Sequence, residues 1–147
     1  TASIALNAKN GVIAAAASKE YITAFPDKSR GYIFNIRASV LLDTANTQGL
    51  QLEALSLYVQ FLLKDPEKNK QALIDNYAQM LMYYNETKAF DNAVIMCDKI
   101  LELAPGDANM LKYREQFVKN AALMKAKNAA KPAAKTGTEE PAAPKKN

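Results

Sequence analysis

Three prolines set the frame of this chain. Pro26, Pro66 and Pro105 each close a stretch of helical periodicity, and they stand 40 and 39 residues apart. Proline ends a helix because it lacks an N–H and its ring clashes with the preceding turn, which does not account for even spacing. Counting back from each proline does. Twelve residues before stand Ala14, Ala54 and Ala93; eight before, Ser18, Tyr58 and Cys97; five before, Tyr21, Phe61 and Ile100; four before, Ile22, Leu62 and Leu101. These offsets fall on one face of a helix of 3.6 residues per turn. One helix therefore occurs three times, with a small residue at the point where a neighbouring helix can approach closely.

The last copy shows what lies between them. Tyr77, Met80, Leu81 and Tyr84 form an i, i+3, i+4, i+7 stripe, the mark of a second amphipathic helix. Residues 85–89 are polar and short enough for a turn, and Phe90 leads into the proline-terminated helix. The unit is helix, turn, helix, proline. Residues 1–10 read as the end of a first helix, with 11–25 as its partner. The next unit has helices at 29–43 and 50–64, joined by a polar turn at 44–49. In YIFNIRASVLL either Ile33, Ile36 and Val40 face the core, or the stripe is shifted by one. In the last unit the first helix is expected to start early and run from 67 to 85, with 90–103 following. Asp107 caps a final helix whose apolar face is Met110, Leu111, Phe117, Val118, Ala121 and Met124, with Lys112, Arg114, Glu115 and Lys119 on the wet side. That helix is expected to cap the array.

This pattern resembles the tetratricopeptide repeat (TPR) family. Tyr77 stands for the first aromatic of its first helix, Met80 and Leu81 for its Leu-Gly, and Tyr84 for its Tyr; Ala93, Cys97, Ile100 and Pro105 follow at family spacing. Leu81 replaces a glycine and Ile100 an alanine. The match covers one unit fully and two partly. The period exceeds the family's usual length of roughly 34 residues, as in long-repeat bacterial members, which implies a bacterial cytoplasm or periplasm. The resemblance implies an all-α fold, a right-handed array of antiparallel helical hairpins forming an α-solenoid. Its parts would be a partial unit at 1–28, units at 29–68 and 69–107, and a C-terminal capping helix at 108–128, together a repeat domain at 1–128. The repeat core would comprise Ala54, Tyr58, Phe61, Tyr77, Met80, Leu81, Tyr84, Ala93, Cys97 and Ile100. The half-unit at the N-terminus suggests a piece of a longer array.

Composition narrows the function. No run approaches the roughly 20 apolar residues a membrane span needs. Residues 1–124 carry 13 basic and 13 acidic side chains, so the net charge of +4 comes from the six Lys and two Glu of 125–147. A neutral fold with a basic tail argues against nucleic-acid binding, which wants a basic face. The tail at 129–147, rich in Lys, Ala and Pro, has nothing large to bury and is expected to be disordered. The chain has no His and a single Cys. The commonest general base and zinc ligand are therefore missing, and Cys97 sits in a core column. No cofactor, metal or catalytic group is expected, and Asp98 and Glu102 read as a solvated face. Of the aromatic residues 77, 83 and 84, only Tyr83 is free of a core column.

What remains is a surface. In TPR proteins the first helices line a concave groove that takes peptides. The stripe beside the core face is Asp75, Ala78, Met82 and Asn85 in the last unit, and Asn109, Lys112, Gln116 and Lys119 on the final helix. The two are expected to lie side by side and to bind a protein or peptide, since Asn can pair with a peptide backbone. The family's carboxylate clamp, a set of Lys, Asn and Arg on three successive first helices, is not present. The rival reading is a structural spacer or an accessory domain of a larger enzyme or complex.

Overall fold

The computed structural model describes residues 11–130, and the expected first half-helix at 1–10 and the tail beyond Ala130 lie outside them. The chain is all-α, with six helices and no strand among the described residues: α1 Gly11–Ala24, α2 Ser29–Leu42, α3 Leu50–Leu62, α4 Lys70–Glu86, α5 Phe90–Leu103 and α6 Ala108–Ala129. Each packs against the next in sequence, and no other pair of helices brings Cα atoms within 8 Å.

The columns counted from the prolines acquire a physical meaning here. Ala14, Ala54 and Ala93 are buried in α1, α3 and α5, and so are Ser18, Tyr58 and Cys97. The even-numbered helices share a frame too. In α2, Gly31, Asn35, Ala38 and Leu42 stand 5, 9, 12 and 16 residues after Pro26, and they face α1. A Cβ on Gly31 would lie 2.9 Å from Tyr21 and Ile22, so only glycine permits this approach. Asn35 Oδ1 is 3.3 Å from Ser18 Oγ, and Ala38 packs with Ala14. In α6 the same offsets from Pro105 are Met110, Arg114, Phe117 and Ala121, and they face α5. Arg114 Nε donates to Asp98 at 2.5 Å, and Phe117 stacks on Phe90 at 6.2 Å.

The other flank of α2 faces α3. Tyr32 stacks on Tyr58 and Phe61 at 5.9 and 4.7 Å, and Ile36 joins the same cluster. This resolves the register of α2: the stripe is Tyr32, Asn35, Ile36 and Ser39, and Val40 is exposed. A helix packed on both flanks has apolar residues most of the way round, so its own sequence does not choose between the two settings.

Two expectations are corrected. The first is the start of α4, which begins at Lys70 and not at Glu67. Residues 63–69 form successive turns, because the Asn69 side chain donates to Leu62 O at 2.9 Å and the Lys68 N–H donates to the Asp65 carboxylate at 3.3 Å. The extra residue of this unit thus lies in the turn. The core columns of α4, Leu73, Tyr77, Met80 and Tyr84, accordingly fall one residue later from their proline than those of α2. The second concerns α6, where Leu111 and Val118 are 47% and 45% exposed and Arg114, expected on the wet side, is half-buried and pairs with Asp98 of α5. The Asp107 carboxylate does cap α6, accepting from the Asn109 and Met110 N–H groups at 3.0 Å.

Side-chain chemistry fixes the remaining turns. Between α2 and α3, buried Asp43 accepts from the N–H groups of Thr47 and Gln48 at 2.8 and 2.9 Å and from that of Leu50 at 3.4 Å. Gly49 there has φ +73°, a conformation that favours glycine. Between α4 and α5, Ala89 N donates to Tyr84 O and Lys88 N to Asn85 O, at 2.8 and 3.1 Å. This is the Schellman closure, with Lys88 at φ 59° where glycine is usual.

Two outcomes follow. Lys88→Gly should raise the stability measured by denaturant unfolding by about 0.5–1 kcal/mol, because the left-handed strain of a side chain exceeds the extra entropy glycine loses; an unchanged midpoint would show that the turn carries no strain. Burial raises the pKa of Asp43, but the N–H groups of Thr47, Gln48, Leu50 and Gly49 outweigh it and leave the carboxyl below its ordinary 3.8. A lowered folded-state pKa means stability that is full above the unfolded value and lost as pH falls through the folded one. Asp43→Asn should therefore melt lower than the parent at pH 7, with the gap closing as pH drops below about 4; a gap independent of pH would assign the effect to packing.

Candidate interaction surfaces

The two stripes expected to lie side by side do not adjoin, because among the described residues α4 and α6 each pack on α5 and not on one another. On α4, Asp75, Met82 and Asn85 are exposed and Ala78 is half-buried against the core. Asn109, Lys112, Gln116 and Lys119 are all exposed on α6. The Gln71 amide donates to Asp75 at 2.9 Å and the Gln116 amide to Asn120 at 3.1 Å, so both are engaged along their own helix. No hydrogen bond or ion pair joins the two stripes among the described residues. The buried residues form two clusters, Tyr58, Tyr77, Met80 and Ile100 in one and Leu81, Ala93, Cys97 and Phe117 in the other, with half-buried Tyr84 packed against both and half-buried Phe61 against the first. Tyr83 is half-buried as well, with its hydroxyl 3.5 Å from Asn46 O in the preceding unit's turn.

The structure adds a surface that the pattern of residues did not point to. A cleft of about 540 Å³ opens between α1 and α3, with α2 as its floor. Asn35, Ser39 and Leu42 line it from α2, Ala15 and Lys19 from α1, and Leu57, Gln60 and Glu53 from α3. A small residue stands on its floor. Ser39 stands where the frame of α4 has Met80, and the hydroxyl folds back on Ile36 O at 2.7 Å. Its lining combines aliphatic surface with amide and hydroxyl groups, and Lys19 and Glu53 supply one charge of each sign. The only hint in the sequence was Asn35 and Ser39, two polar residues four apart in an otherwise apolar run. Another cleft, of about 460 Å³, lies at the proline end, where Lys28, Arg30 and Lys68 stand around Tyr58 and Phe61.

Several charged groups pair within the fold. Asp98 does not merely face solvent, since it pairs with Arg114 across the α5–α6 interface, while Glu102 pairs with Lys99 along α5 at 3.1 Å. Among the described residues no group of three or more His, Cys, Asp or Glu is placed to hold a metal ion, and no helix is long and apolar enough to cross a membrane. Cys97 is fully buried. Burial, with a smaller push from the Asp98 charge, drives its thiol up to about 11, so at neutral pH almost none is thiolate, the reactive form.

In comparisons with known proteins, no family model, no curated protein and no solved structure matches the chain.

Cys97 should accordingly resist thiol reagents in the folded protein. Labelling by a maleimide at neutral pH should be at least about a hundredfold slower than in denaturant, in keeping with a thiol both inaccessible and protonated. Rapid native labelling would mean that the α5–α6 interface opens on the timescale of the assay.

Proposed function

We propose that this chain is a non-catalytic scaffold that binds a protein or peptide, and that its helices form a TPR-like array of hairpins. The three proline-framed helices with common buried columns support the array. The observation that carries the binding role is the cleft between α1 and α3. Its volume lies within the range of preformed sites, a few hundred to about 1,000 Å³. Its mixed aliphatic and amide lining suits a peptide, whose backbone needs hydrogen-bond partners and whose side chains need apolar contact. The exposed stripes on α4 and α6 are a second candidate groove.

Capture experiments with the immobilised full chain separate the surfaces. Ser39→Met fills the cleft with the side chain that α4 carries at the matching place, and it should reduce partner capture at least about tenfold if a bound side chain is displaced, equivalent to roughly 1.4 kcal/mol. Asn85→Ala with Lys112→Ala removes polar groups from the stripes without touching the core, and should leave the melting temperature nearly unchanged. Loss of capture in this double variant alone would move the site to the stripes. Capture that no variant alters, or no partner at all, would favour a structural spacer within a larger assembly.

A further inference from the structure

The outer flank of α6 has the chemistry of an interface. Leu111, Glu115, Val118 and Ala122 stand 6, 10, 13 and 17 residues after Pro105. The same offsets from Pro26 give Tyr32, Ile36, Ser39 and Asp43, the flank of α2 that seats α3 and the turn leading into it. In α2 that flank is covered, with Tyr32 and Ile36 at 6% and 9% exposure. In α6 it is open, with Leu111 at 47% and Val118 at 45%. The chain that follows is a poor cover, because residues 131–147 contain only Lys, Pro, Ala, Thr, Gly, Glu and Asn.

We propose that this flank is the interface of an antiparallel dimer, in which α6 packs against α6 of a second copy about a two-fold axis near Val118. The charges on the flank are self-complementary in that arrangement. Glu115 lies three residues before Val118 and Lys125 seven after it, at about 4.5 and 10.5 Å along a helix rising 1.5 Å per residue. The two-fold sets Lys125 of the partner subunit level with Leu111, so that its aliphatic stem covers the leucine, and roughly one helical turn from Glu115, within reach of that carboxylate. Glu115 has no ion-pair partner among the described residues. Lys125 donates to Asp91 at 2.9 Å but remains mostly exposed, with two further N–H donors to offer. Ala122 allows close approach beside the axis, as Ala54 and Ala93 do within the fold. An isologous contact of this kind closes on itself and leaves no open-ended chain of copies.

Sedimentation of the full chain over a range of micromolar concentrations should show the mass rising from one chain to two. Val118→Lys should abolish that rise by placing two like charges on the axis. Glu115→Lys should weaken association, and adding Lys125→Glu should restore it. Oxidation of Val118→Cys should give a covalent dimer, because the position on the axis meets itself, whereas Gln116→Cys on the far side of α6 should give none. Buried Cys97 contributes no background. A chain monomeric at every concentration overturns the proposal, as does a dimer that tolerates Val118→Lys or cross-links equally through position 116.

Discussion

The approach of helices at small residues is the constraint on which this fold depends. Ala14 and Ala93 are fully buried and Ala54 nearly so, and Gly31 has no room for a methyl group beside Tyr21 and Ile22. Packed interiors tolerate little added volume, and overpacking costs of order 1–3 kcal/mol. With the backbones this close, the large side chains must fill the spaces beside the small ones. That is where Tyr32, Tyr58 and Phe61 stack, and where Phe90 meets Phe117. The cores between successive helices differ in composition, aromatic at α2–α3 and mixed with sulfur at α5–α6, while the small-residue columns stay in register.

A polar residue accompanies each close approach. Nine residues after Pro26 and Pro105 stand Asn35 and Arg114, and allowing for the longer turn the same column in α4 holds Asn76. Asn35 reaches Ser18, and Arg114 reaches Asp98. Asn76 donates to Ala72 O at 2.7 Å, but its buried Oδ1 has no protein partner. Burying a polar group is costly unless it is hydrogen-bonded, so in α2 buried Asn35 penalises a helix rotation that breaks its contact with Ser18, whereas the Arg114–Asp98 pair, 42% and 44% exposed, adds less. They contribute to the choice of register, which the apolar surroundings alone leave open.

What could be read in the sequence follows from this division. Helix α5 was legible to the residue, because one face is apolar, the other wet, and Pro105 ends it. Helix α2 was not, because it is packed on two flanks and its apolar residues encircle it. The start of α4 depended on side-chain bonds from Asp65 and Asn69, which compete with helix in a polar stretch that periodicity cannot see. The cleft was invisible for a different reason. It is lined by residues of three helices, among them Lys19, Ser39 and Glu53, and such a space exists only once the helices on either side are in place. The pairing of Asp98 with Arg114 was hidden likewise, since the two are 16 residues apart and belong to different helices.

Helix α6 shows the limit of reading burial from apolar character. Met110, Phe117 and Ala121 pack on α5, whereas Leu111 and Val118, one residue further on, do not. Both stripes are apolar, and adjacent residues on a helix point about 100° apart. A helix that closes an array needs one apolar flank, but α6 carries two, in the same frame in which α2 uses both. Leucine and valine left in water forgo about 25 cal/mol for each Å² that could be buried. Glu115, between them, would be costly to bury alone and acceptable beside a cation. The flank therefore has the composition of a surface that is covered part of the time, apolar enough to associate and charged enough to remain stable when open.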